Sequence, residues 1–312
     1  MPFTTAAHDS RLENDHEAAL QTEQARDAAA GDRSKVVLIT GTSSGIGLAV
    51  AVAAARSGWR VVATMRDTAS AVRLKEAAAD AGVELDIQAL DVTHSHSIDS
   101  ALAHVDLTYG RLDAVVNNAG VAALGTVEMM SMEQIRASLD TNFFGAVALT
   151  RAAMPRLRES EGRLLTISSV GGVVGQPFNE SYCAAKFALE GFMESLHPVA
   201  RSLGVAVIVV EPAAVSSDFV ANAAIDIEGL LARSGAYRPA LSLSLERTMR
   251  QFDQGVAQSP DDVAAVVVAT LDSAAPAFRV QTSAEAAAIV GMKLLDVDGS
   301  RVTGVTSSWV TS

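Results

Sequence analysis

Residues 35–50 read KVVLITGTSSGIGLAV: an apolar, β-branched run passes directly into a glycine-spaced turn and then into a second apolar run. KVVLIT (35–40) shows no polar alternation, the composition of a strand covered on both faces. Gly41, Gly45 and Gly47 stand where the chain must turn sharply, let its backbone approach a ligand, and pack the next helix closely on the strand. A helix beginning near Ile46 aims its free N-terminal amides at an anion. Glycines also close ordinary loops. Their place between a first strand and an apolar helix makes a dinucleotide-phosphate turn the better reading, with Ser43, Ser44 and Ile46 in its wall.

The same strand composition returns at WRVVAT (59–64), ELDIQAL (84–90), DAVVN (113–117), RLLTIS (163–168), VAVIVV (205–210) and AFRVQT (277–282), with alanine-rich segments of helical period between them. Apolar strands alternating with helices predict an α/β fold: a single-domain, Rossmann-type, doubly wound, seven-stranded parallel sheet with function at the carboxyl ends of its strands. Residues 1–34 differ. Seven acidic and three basic residues sit there among few large apolar side chains, so a mobile acidic tail is expected before a domain spanning 35–312.

Composition narrows the class. With 312 residues, 49% of them hydrophobic, the chain can bury a sizeable core. A net charge of −12 without clustered Lys and Arg argues against a nucleic-acid partner. There is no apolar run of about 18 residues, so no membrane span is expected. Cys183 stands alone and forms no internal disulfide; with no basic-then-apolar leader at the start, a cytoplasmic setting is the default. His94 and His96 lack clustered cysteine or carboxylate partners, so no metal site is expected.

Strand ends then indicate a cofactor. The second strand closes as ATMRD: Met65 holds the tip, Arg66 follows, and Asp67 comes next. An arginine there pairs with a ribose 2′-phosphate, whereas a carboxylate would bind the bare hydroxyls, so NADP(H) is preferred and NAD(H) stays possible. Asp91 and Val92, after the third strand, are placed for the adenine, although a loop aspartate capping the next helix reads nearly as well. Asn118, Ala119 and Gly120 in NNAG (117–120) let the backbone pass close to the adenine ribose, and a plain tight turn would use the same residues.

In SYCAAKFALEG (181–191), Tyr182 and Lys186 stand four apart and share one helix face; Ser169 in ISSVGG lies thirteen positions upstream of the tyrosine. Taken alone such a pair reads as a solvated helix edge. A general acid/base for an alcohol, however, needs a proton-bearing group at the carbinol oxygen, and a neighbouring cation would bring a tyrosine from its usual value of about 10 toward neutrality. TGTSSGIG, NNAG, Asn142 in LDTNFFG, Ser169 and YCAAK together resemble, in order and spacing, the short-chain dehydrogenase/reductase family over residues 35 to about 300. SVGGVVGQPFNESYCAAKFALEGFMESL is similar to its hydroxysteroid and retinol dehydrogenase subgroup.

The resemblance implies a catalytic set of Asn142, Ser169, Tyr182 and Lys186. Tyr182 would serve as acid/base, and Lys186 would tune it and hold the nicotinamide ribose. Ser169 would hold the substrate oxygen, and Asn142 would anchor a relay water. It also implies pairing into a homodimer or homotetramer. Where the family has Pro-Gly and a later Thr, this chain reads EPAAVSSDF, with Val215 and Ser217 at the carboxamide-binding positions. The segment at about 213–258 is the expected helical lid over a lipophilic carbonyl or alcohol such as a steroid, retinoid or polyketide, and it contains no histidine for a phenolic ring. A 3-oxoacyl carrier-protein reductase is the alternative enzyme, disfavoured by the acidic charge. A non-catalytic dinucleotide sensor is the alternative class, disfavoured by the complete set of four.

Overall fold

A computed structural model of the chain describes residues 34–217, 225–253 and 257–295, with Val305 and Ser308. The acidic tail expected at 1–34 lies outside the described residues except for Ser34, as do parts of the expected lid. Seven strands, β1 (Val36–Thr40), β2 (Arg60–Met65), β3 (Asp86–Ala89), β4 (Ala114–Asn117), β5 (Arg163–Ile167), β6 (Ala206–Glu211) and β7 (Arg279–Gln281), form one sheet in the order β3-β2-β1-β4-β5-β6-β7. Every pairing is parallel. The predicted doubly wound sheet is the one observed.

Continuous apolar strands require cover on both faces, and alternate residues of each strand supply it. Val37 and Ile39 of β1 and Val116 of β4 face α1 (Gly45–Arg56), the start of α2 (Val72–Ala81) and α9 (Pro260–Asp272). Val36, Leu38 and Val115 face α3 (Ser95–Tyr109), α5 (Ala146–Glu159) and α6 (Glu180–Arg201). Side chains on a strand point alternately to its two sides, so one strand serves both cores. The remaining helices are α4 (Met132–Leu139), α7 (Ile227–Arg233), α8 (Arg238–Asp253) and α10 (Ala284–Leu294). Among the described residues no helix is long and apolar enough to cross a membrane.

The order reverses between β1 and β4, from which the crossovers leave in opposite directions and open a crevice at the carboxyl ends. Buried Thr40, the last residue of β1, holds that crevice in shape. Its hydroxyl accepts the amides of Asn118 (3.0 Å) and Ala119 (2.9 Å). Thr40→Val keeps the shape but leaves both amides without their acceptor. At about 1–3 kcal/mol per unsatisfied buried donor, unfolding free energy should fall by roughly 2–4 kcal/mol in denaturant titrations, with an unchanged slope.

Candidate active site

The glycine turn is built by close approach. Gly41 and Gly45 hold φ of +71° and +57°, conformations that side chains oppose. A Cβ on Gly41 would come within 2.9 Å of Ala119 Cα, and one on Gly47 within 2.2 Å of the Gly41 carbonyl oxygen. Thr42 ties the turn to the end of β2, donating from its amide (3.0 Å) and hydroxyl (3.1 Å) to the Thr64 carbonyl. Ser44 caps α1 in extended backbone, and the first turn of α1 contains no acidic residue. Ser43, Ser44, Gly45 and Ile46 are therefore half-buried around a helix N-terminus whose dipole favours an anion. A cavity of about 370 Å³ lies beside this turn, with Gly45, Leu48, Arg73, Ser217 and Asp261 in its wall.

The other strand ends divide into groups that face outward and groups that build loops. Arg66 is exposed past the buried tip Met65, while Asp67 accepts the Ala69 amide (2.9 Å) and caps a short 3₁₀ turn. Asp91 accepts from the amide (2.9 Å) and hydroxyl (2.7 Å) of Thr93, and its other oxygen lies 3.3 Å from His94 Nδ1. Its carboxylate thus shapes the entry to α3, the loop-building alternative to adenine recognition. The side chain of Val92 is buried in the core against Gly145. Asn118 likewise turns inward, its amide donating to the carbonyls of Thr40 (2.8 Å) and Gly41 (3.1 Å). Ala119 and half-buried Gly120 continue that loop.

Three members of the expected catalytic set converge at the end of β5. Ser169 begins a 3₁₀ turn, accepting the Gly171 amide at 3.0 Å. A Cβ on Gly171 would lie 3.4 Å from both Ser169 Oγ and Tyr182 Cε1, so the serine and the tyrosine meet over that glycine. Tyr182 and Lys186 occupy successive turns of α6, and the ammonium lies 5.8 Å from the tyrosine ring centroid.

The electrostatics differ from the expectation that Tyr182 falls toward neutrality. Burial pushes it up to about 12, with only the Ser169 hydrogen bond pulling the other way. The ammonium of Lys186 donates to the Ile167 carbonyl (2.8 Å) and is itself driven down to about 8 by burial. The neighbouring thiol of Cys183 is buried and pushed up to about 11, which suits packing rather than attack.

Asn142 is fixed by bonds to its neighbours. It sits in a π-helical turn, Asp140–Gly145, a local widening that often marks functional sites. Its side-chain oxygen accepts the Val121 amide (3.0 Å), and its nitrogen donates to the Val121 carbonyl (3.0 Å) and to Ser138 Oγ (3.3 Å). These bonds fasten the loop after β4.

After β6 the two ends of the long insertion are joined: Ser216 donates to the Gln258 carbonyl (2.8 Å) and Gln258 to the Ala214 carbonyl (2.9 Å). Val215 bridges Gln258 and packs on the core, while Ser217 lies against the turn, 3.4 Å from the position of a Gly45 Cβ. Within the insertion, buried Leu230 of α7 and Leu241 of α8 pack on Phe178, just before α6. Phe178 holds φ of +62°, uncommon for a bulky side chain, and its carbonyl accepts the Gly125 amide (2.8 Å). Among the described residues no three His, Cys, Asp or Glu side chains gather as metal ligands.

Sequence reasoning overlooked Thr40 and Thr42, although both flank the glycine turn, because a threonine at a strand end carries no distinctive spacing. It also passed over Glu190, four residues beyond Lys186 on the same face. Gly47→Ala should show how little room the turn has. The added methyl overlaps backbone that cannot swing away, so stability should fall by roughly 1–3 kcal/mol in denaturant unfolding.

Comparison with known proteins agrees with this arrangement. The family model described as short chain dehydrogenase matches residues 35–227. Retinol dehydrogenase 8 of Bos taurus is 38% identical over 284 residues, covering 86% of this chain and 88% of its own. The 17-beta-hydroxysteroid dehydrogenase type 1 of Homo sapiens is 36% identical over 272 residues, covering 85% and 82% respectively. A crystal structure of actinorhodin polyketide ketoreductase with NADPH superposes with a TM-score of 0.69 at 26% identity, covering 80% of this chain and 96% of its own. A glycine turn at a sheet reversal, a serine and tyrosine meeting over Gly171, and likeness over most of its length place this chain in the short-chain dehydrogenase family of oxidoreductases.

Proposed function

We propose that the protein is an NADP(H)-dependent oxidoreductase that interconverts a secondary alcohol and a ketone on a bulky lipophilic molecule, steroid-, retinoid- or polyketide-like. The observation that carries this reading is the meeting of Ser169, Tyr182 and Lys186 at the end of β5, on the side of the sheet that holds the glycine turn. The turn fits a dinucleotide: side chains are absent where backbone crowds, and α1 begins without an acidic residue. Gly41, Gly45 and the amides after Ser44 would hold the pyrophosphate. Arg66 would hold the 2′-phosphate, since Asp67 already caps its own turn. Val215 and Ser217 would border the nicotinamide side, and NAD(H) is the weaker ligand.

The nicotinamide, when bound, gives or takes the hydride. The chain's own groups handle the oxygen and the proton. Ser169 donates to the carbonyl oxygen and stabilises charge developing there. Tyr182, held protonated far above neutrality by burial, is an acid at neutral pH, the form that reduction needs. It passes its proton to the oxygen, and the phenolate left behind is favoured by the Lys186 ammonium one turn away. Asn142 contributes by fixing the loop through Val121.

Relatives whose names specify retinol and a hydroxysteroid support the lipophilic class. So does the insertion at about 213–258, whose Leu230 and Leu241 bury against Phe178 just before the catalytic helix. Exposed Phe144 in the π-helical turn and Phe192 on the catalytic helix support pairing of identical copies.

Tyr182→Phe removes the proton and little else. Turnover of a 17-ketosteroid, followed by loss of NADPH absorbance, should fall by about 10²–10⁴-fold, the usual worth of a general acid. NADPH affinity should stay near that of the unaltered chain, and turnover surviving in the variant would overturn the mechanism. Arg66→Ala tests cofactor choice separately. Losing one charge-assisted contact of about 1.5–3 kcal/mol should raise the KM for NADPH about 10- to 100-fold and leave that for NADH nearly unmoved.

A further inference from the structure

Helix α6 buries a third polar group beyond Tyr182 and Lys186. Glu190 lies four residues past the lysine, on the same face, and both are buried, at 3% and 5% exposure. Lys186 donates to the carbonyl of Ile167, and Glu190 reaches the next residue, Ser168. Glu190 Oε1 and Ser168 Oγ come within 3.3 and 2.6 Å of the point a Gly172 Cβ would occupy. Neither atom meets the geometry of a hydrogen bond within the described residues. Successive turns of the catalytic helix thus press a cation and a carboxyl against the same strand end.

The surroundings leave this carboxyl short of positive charge. Arg279 of β7 donates through Nη1 to Glu190 (2.6 Å) and to Glu211 of β6 (2.6 Å), and through Nη2 to Glu194 (2.7 Å). One guanidinium therefore serves three carboxylates, of which Glu190 and Glu211 are out of water. Burial raises the Glu190 carboxyl above its usual range; Ser168 opposes that, Glu211 adds to it, and Arg279 opposes it. The groups facing Glu190 are Lys186 and Glu194 on its own helix, Ser168 after β5, Glu211 on β6 and Arg279 on β7. Burial depresses Lys186, and the charge that opposes this is Glu190.

We propose that Glu190 is a positioning residue for the acid/base helix: its carboxylate keeps the buried Lys186 ammonium charged and so sets the upper pH at which Lys186 supports Tyr182. This rests on the action of Lys186 on Tyr182 proposed above. Gly172 belongs to the same device, since any larger residue there would push Ser168 and Glu190 apart.

The sequence has only four lysines, Lys35, Lys75, Lys186 and Lys293. The full chain labelled with ¹³Cε-lysine can therefore be titrated by NMR, with the Lys186 signal assigned by its loss in Lys186→Met. Lys186 should titrate near 8 in the unaltered chain. In Glu190→Gln the midpoint should move down by about half a pH unit or more, and the alkaline limb of kcat/KM for NADPH-dependent reduction of a 17-ketosteroid should move with it. Glu194→Gln, which removes an exposed partner of the same arginine, should move neither. Should Glu190→Gln fail to fold, Glu211→Gln serves instead: Glu190 then ionises more readily, and the Lys186 midpoint should hold or rise. A Lys186 midpoint unchanged in Glu190→Gln, with only thermal stability reduced, overturns the inference and leaves Glu190 a structural tie. A midpoint that moves while the alkaline limb stays overturns the link to Tyr182, and with it the reading on which this one rests.

Discussion

Much of this molecule depends on how closely β1, the start of α1 and the loop after β4 approach one another. Thr40, Gly41, Gly47 and Asn118 meet there with no spare volume: the Gly41 carbonyl would lie 2.2 Å from any Cβ on Gly47, and the Asn118 amide 2.4 Å from it. Backbone polar groups brought so close must find partners, and Thr40 and Asn118 supply them across the reversal of strand order. The crevice between β1 and β4 is thereby held open toward a ligand by hydrogen bonds, while the two apolar cores on either face hold the sheet itself.

The second governing effect is desolvation along α6. Tyr182, Lys186 and Glu190 occupy three successive turns of one helix face that is turned into the protein. Each is pushed toward its neutral form, the tyrosine and glutamate upward and the lysine downward. An exposed Tyr-Lys pair at this spacing would be an ordinary helix edge. Burial makes each charge depend on the few groups near it, and a single carboxylate or serine hydroxyl then has a large say in which form is present.

Pattern and tertiary contact contributed differently to the reading. All seven strands were legible because a two-sided parallel sheet demands continuous apolar runs, and such runs stand out against alanine-rich helical spacing. The positions of Gly41, Gly45 and Gly47 were legible because few other residues tolerate those conformations and contacts. Side-chain direction was not legible. Asn118, Asp91 and Val92 sit where a cofactor contact was expected, yet Asn118 binds the backbone of the turn, Asp91 binds Thr93, and Val92 packs on Gly145. In each case a partner distant in sequence or a local turn holds the side chain.

By itself the sequence determined the α/β class, the seven strands, the glycine turn and the shared helix face of Tyr182 and Lys186. All of these follow from local composition and from the fixed periods of helix and strand. Only the tertiary structure decided what the polar groups do. The height of Tyr182, the depression of Lys186, the engagement of Asn142 with Val121 and the crowding of Glu190 against Ser168 arise from burial among segments far apart in the chain. Solvation and charge pairing are properties of a three-dimensional neighbourhood, which no window of consecutive residues contains.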